Sequence, residues 1–71
     1  MVDMKALQKN ISDSGTTIVA LAKNAGIERT TLYNRLKGIG EFTASEIVGL
    51  AGALRMTNAE RDAIFFAHEV E

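Results

Sequence analysis

Apolar residues along this chain recur at steps of three and four and never alternate with polar ones over a strand's length, so the pattern predicts helices and no sheet. Met4, Leu7 and Ile11 line one face of a first helix, which should end near Ser14 and Gly15 because glycine suits the left-handed C-terminal position. Thr17 is placed to cap a short second helix containing Ile18, Leu21 and Ala22, and Asn24-Ala25-Gly26 stops it. Ile27 leads into a third helix from about Glu28 to Lys37, after which Gly38 and Gly40 break the chain.

Two capping boxes announce the remaining helices. In Thr43-Ala44-Ser45-Glu46 and Thr57-Asn58-Ala59-Glu60 the threonine accepts from the third helical amide while the glutamate reaches back to the cap. Behind the first box, Ile47, Leu50, Ala51 and Leu54 make one buried face. Gly49 and Gly52 inside this helix each cost about 1 kcal/mol relative to alanine, and mark either the close approach of another helix or a tolerated weakness. Behind the second box, over about residues 58–69, Ala59, Ala63, Phe66, Ala67 and Val70 form a stripe that Ile64 and Phe65 widen. That surface is broader than one core contact needs, which makes Phe65, Phe66 and Val70 candidates for a dimer or partner surface, with the Phe65-Phe66 pair divided between the core and that contact.

The expected architecture is therefore all-α, a five-helix bundle forming one domain over residues 1–71. A domain of this size buries only about 60% of the surface its unfolded chain exposes, so it has one modest core. There are no cysteines and a single histidine, His68, which excludes disulfides, thiolate metal sites and a histidine ligand cluster. No metal and no cofactor are expected. An enzyme is not expected either: there is no cysteine nucleophile, His68 has no evident serine or aspartate partner, and the glycines at 38 and 40 lack the strand-to-helix context and lysine of a phosphate loop. With no basic segment leading into an apolar run, and no stretch near the roughly 20 apolar residues that span a bilayer, the expectation is a cytoplasmic domain without a membrane partner.

A net charge of −1 argues against a nucleic-acid partner, but its distribution argues the other way. Residues 1–40 carry six bases against three acids, and residues 41–71 carry two bases against six acids. The basic half contains the stretch GIERTTLYNRLKG, residues 26–38, which concentrates hydrogen-bonding side chains on one predicted helix. Ala22 lets the third helix approach the second, Gly26 supplies the positive φ of a sharp turn, and Leu32 and Leu36 pin the third helix to the core. This spacing over about residues 17–37 reads as a helix-turn-helix formed by helices 2 and 3.

The run TIVALAKNAGIERTTLYNRLKGIGEFTASEIVGLAGAL, residues 17–54, resembles the Cro and cI repressor type of helix-turn-helix domain, the Xre family. More narrowly, TTLYNRLKGIGEFTASEI together with the text of residues 54–66 is similar to small regulators of Gram-positive phages and prophages. The resemblance implies a lambda-repressor-like fold and a sequence-specific, repressor-like regulator of transcription that binds double-stranded operator DNA as a homodimer. It also implies that the third helix enters the major groove while the second sits over the phosphate backbone. Such a protein would associate with the nucleoid when bound to DNA.

The residues suit that role. At about 100° per residue, Arg29, Thr30, Tyr33, Asn34 and Lys37 fall on an arc roughly 140° wide, away from Leu32. Arg29 can pair bidentately with guanine and Asn34 with adenine, Thr30 suits a thymine methyl or a phosphate, and Tyr33 suits a phosphate or an apolar base edge. Arg35, Lys37 and Lys23 are expected to neutralise phosphates, and Thr17 to present its hydroxyl and backbone amide to one. Glu28 departs from the family pattern, where a small capping residue opens the recognition helix; it favours the helix dipole but repels phosphate, and either accepts from cytosine or holds a basic side chain. A second reading, a protein-interaction module of antirepressor or antitoxin-like kind, uses the acidic, aromatic C-terminal helix.

Overall fold

A computed structural model describes residues 1–67. Its five helices are α1 (Met4–Ser14), α2 (Ile18–Ala25), α3 (Arg29–Leu36), α4 (Ala44–Ala53) and α5 (Asn58–Phe65), with no strand among the described residues. Four of the five N-termini are closed by a side chain. Asp3 accepts from the Ala6 amide and Thr17 from that of Ala20, while Thr43 with Glu46 and Thr57 with Glu60 complete both capping boxes. Glu28 occupies the cap position of α3 and makes no such bond.

Leu7, Leu21, Leu32 and Leu50, one from each of α1 to α4, are the largest fully buried side chains, and Phe65 joins them from α5 at 2% exposure. α2 lies at the centre, packed against both α3 and α4, while α1 and α4 meet α5. The chain termini of the helices are tied by backbone bonds across the fold. The Asp3 amide donates to the Ile64 carbonyl at 2.7 Å, satisfying one of the orphan acceptors at the end of α5, and the Ala67 amide donates to the Met1 carbonyl at 3.2 Å.

The sequence left two readings of the α4 glycines open, and the structure separates them. A side chain on Gly49 would collide with the Ala25 carbonyl at the end of α2, whereas one on Gly52 would meet nothing. The first glycine lets α4 lie against α2; the second is a propensity defect. Gly52→Ala should therefore stabilise the domain by about 0.5–1 kcal/mol, while Gly49→Ala should destabilise it despite the same gain in helix propensity. Chemical denaturation of the two variants checks the opposite signs.

α5 departs from expectation in length and in face. It ends at Phe65, with Phe66 at φ −125°, ψ 35°, rather than running on to about residue 69. Ile64 and Phe65 turn into the core, Ala59 and Ala63 are exposed, and Phe66 is half-buried against the core cluster. Phe65 is consequently not a partner surface: its ring sits edge-on to Phe42 of the α3–α4 loop, centroids 5.4 Å apart and planes at 78°. Phe66 keeps only a partial exposed face. Val70 and His68 lie outside the described residues.

Candidate nucleic-acid interface

The turn between α2 and α3 is built from the residues that the spacing singled out. Gly26 adopts φ 72°, ψ 30°, a left-handed conformation that a side chain would strain. Its amide donates to the Lys23 carbonyl at 3.3 Å and that of Ile27 to the Ala22 carbonyl at 2.9 Å, the paired closure that consumes the last carbonyls of a helix. Ala22 is 3% exposed and Ile27 joins the core, so three residues reverse the chain and α3 starts at once. α3 ends by the same device, with the Gly38 amide on the Arg35 carbonyl and the Ile39 amide on that of Asn34.

Between those two closures Leu32 is completely buried and Leu36 packs against the core, which fixes the rotation of α3 about its axis. The opposite side faces outward. Arg29, Thr30 and Lys37 are exposed, Tyr33 is 43% exposed, and Asn34 is half-buried at the edge of the arc. None of these five side chains, nor that of Glu28 or Lys23, has a hydrogen-bond or ion-pair partner among the described residues. Arginine and lysine heads with no intramolecular commitment are available to an external anion, and an α-helix of this width fits the major groove of B-DNA.

Thr17 does two things at once. Its hydroxyl oxygen accepts from the Ala20 amide at 3.1 Å, closing α2, and its own proton stays available to an acceptor outside the chain. Lys23, exposed in the last turn of α2, stands beside the turn. Thr17, Lys23, Arg29, Thr30, Tyr33, Asn34 and Lys37 thus belong to the two helices flanking one turn.

Arg35 differs from the expected phosphate contact. Its Nε–H donates to Glu46 Oε1 at 3.1 Å and its Nη1–H to the Ile39 carbonyl at 3.2 Å, with the side chain 21% exposed. The same Glu46 oxygen accepts from the Thr43 amide at 2.9 Å, so one carboxylate closes the α4 capping box and holds the last turn of α3. The capping box predicts only a cap role for Glu46. The signal that was present, a carboxylate eleven residues after an arginine across a glycine-containing loop, has no fixed local geometry and so no pattern to match.

Burial pushes the Glu46 carboxyl upward, but the Thr43 amide and the Arg35 guanidinium together outweigh it and hold its pKa below the ordinary glutamate range. A carboxylate whose pKa is depressed by folding contributes stability at pH values above its unfolded pKa, and that contribution disappears as pH falls through the lower, folded one. Acid titration of stability should show this loss in the wild type below the normal glutamate range, and a smaller loss in Glu46→Gln.

Among the described residues no group of histidine, cysteine, aspartate and glutamate is placed to hold a metal ion, and no helix is long and apolar enough to cross a membrane. Comparison of the chain with protein-family models, with curated proteins and with solved structures finds no match in any of the three.

Proposed function

We propose that this chain is a sequence-specific DNA-binding regulator of transcription, repressor-like, with α3 lying in the major groove and α2 over the adjacent phosphates. The observation that carries the reading is the two-sided character of α3. One side is locked into the core by Leu32, and the other presents Arg29, Thr30, Tyr33, Asn34 and Lys37 with no partner of their own. A protein gains nothing for its own stability from that row of uncommitted donors, whereas base edges and phosphates use each of them. In this reading Arg29 and Asn34 read guanine and adenine, Thr30 and Tyr33 complete the base contacts, and Thr17, Lys23 and Lys37 fix the register on the backbone.

The arrangement belongs to the lambda-repressor-like class in this proposal, and the resemblance of residues 17–54 to Cro and cI domains points to a phage or prophage regulator working in the cytoplasm. Specificity from one short helix is small, so the protein acts as a homodimer, presenting two copies of α3 about 34 Å apart on a two-fold symmetric operator. Repression then follows from occupancy of promoter DNA and needs no catalysis and no cofactor.

The interaction-module reading, an antirepressor or antitoxin-like chain working through its C-terminal helix, has less support once Phe65 is in the core. The apolar surface left to α5 and its C-cap is small, namely Ala59, Ala63 and part of Phe66, beside the exposed Glu60 and half-buried Asp62. Selection from a pool of random duplexes, followed by titration of the selected and a scrambled duplex, separates the two. The regulator reading expects a palindromic sequence bound at least 1,000-fold more tightly than the scrambled one, in line with the usual specificity ratio. Equal weak binding to every duplex, with a stoichiometric protein partner that DNA fails to displace, would replace it by the second reading.

A further inference from the structure

The guanidinium of Arg35 joins three successive segments of the chain. It projects from the last turn of α3, donates to the Ile39 carbonyl in the loop, and donates to Glu46 in the first turn of α4. It lies where a side chain on Gly40 would have to stand, so the loop folds around it. Glu46 in turn is held by the Thr43 amide, and both members of the pair are mostly shielded, at 21% and 14% side-chain exposure. The other cations of α2, of α3 and of its C-terminal cap, namely Lys23, Arg29 and Lys37, are exposed and uncommitted among the described residues.

We infer that Glu46 is a specificity-determining positioning residue: it withholds Arg35 from the phosphate backbone and uses it as a strut that sets α3 against α4. The inference rests on the DNA-binding reading proposed above. Its logic is electrostatic. Phosphate contacts raise affinity for all sequences alike, because each releases counterions whatever the bases are, whereas only a correctly set helix reads base edges. A cation at the exit of α3 that was free to swing toward the backbone would strengthen binding to wrong duplexes as much as to right ones. Pairing it with a carboxylate removes that contribution and stiffens the frame of the reading helix.

Glu46→Gln is the informative substitution. Glutamine still offers a carbonyl oxygen to the Thr43 amide, so the capping box survives, while the charge facing Arg35 is gone. Binding of the variant to the selected and to the scrambled duplex is measured from 50 to 200 mM salt. Expected are a rise in affinity for the scrambled duplex, a slope of log K against log salt steeper by about 1 per protomer, and a ratio of selected to scrambled affinity reduced several-fold. Arg35→Gln added to Glu46→Gln should return the salt slope to the wild-type value, because the freed cation is then absent. A merely structural pair would change melting temperature and leave slope and ratio untouched in the folded protein. An unchanged slope in Glu46→Gln overturns the inference while the wild type's preference for the selected duplex still stands. Absence of that preference in the wild type overturns the functional reading itself.

Discussion

Leu32→Ala is expected to cost about 2–5 kcal/mol, the range for removing a fully buried leucine side chain and leaving a cavity behind. Leu32 has no solvent exposure and is the most deeply buried of the residues that tie α3 to the core cluster. A domain of 71 residues has a total stability of only about 4–11 kcal/mol, so the substitution takes away a large share of it. In a chain this small each kcal/mol moves the melting temperature by roughly 4–8 °C, which places the expected drop at about 8 °C or more. Thermal melting followed by circular dichroism reads it directly. A drop of only a degree or two would mean that α3 is not anchored where the structure puts it.

Arg29→Ala is expected to act on the opposite side of the same helix and in the opposite way. Arg29 is exposed and without a partner among the described residues, so its loss should leave the melting temperature within a degree or two. Loss of a bidentate pair with guanine costs about 1–3 kcal/mol per reading helix, and a two-fold complex loses it twice. Affinity for the selected duplex should fall by at least about 30-fold, affinity for a scrambled one far less, and discrimination at one base pair in each half-site should disappear. Asn34→Ala should relax a different base pair. Lys23→Ala, by contrast, should weaken all duplexes alike and make the salt slope shallower, as a backbone contact does. If Arg29→Ala weakened both duplexes equally, Arg29 would belong with the phosphate contacts instead.

The number, order and starts of the helices were legible because local rules set them. Thr17, Thr43 and Thr57 cap the helices they were expected to cap, and Gly26 and Gly38 close α2 and α3. The outward row of Arg29, Thr30, Tyr33, Asn34 and Lys37 was legible for the same reason, since helical period alone separates it from Leu32. What escaped depends on which surfaces meet. The apolar arc of α5 is wide enough to fit two ways, and only Phe42, brought over by the α3–α4 loop, decides that Phe65 goes inward. Gly49 and Gly52 look alike in sequence, and only the position of the Ala25 carbonyl tells them apart. Arg35 was placed with the phosphate contacts because its partner lies across a loop whose path no periodicity encodes. Glu28 stands exposed at the start of α3, neither capping the helix nor paired among the described residues.

In the proposed function DNA binds the outward face of α3. Titration of isotope-labelled protein with the selected duplex, followed by amide and side-chain NMR, tests it most directly. The large shifts should fall on Thr17, Lys23 and residues 28–37, the Arg29 guanidinium and Asn34 carboxamide signals should move with them, and exposed positions of α5 such as Ala59 and Ala63 should stay in place or report only a dimer contact. Shifts concentrated on α5 with α3 unmoved, or no shift anywhere at 50 mM salt, would contradict it.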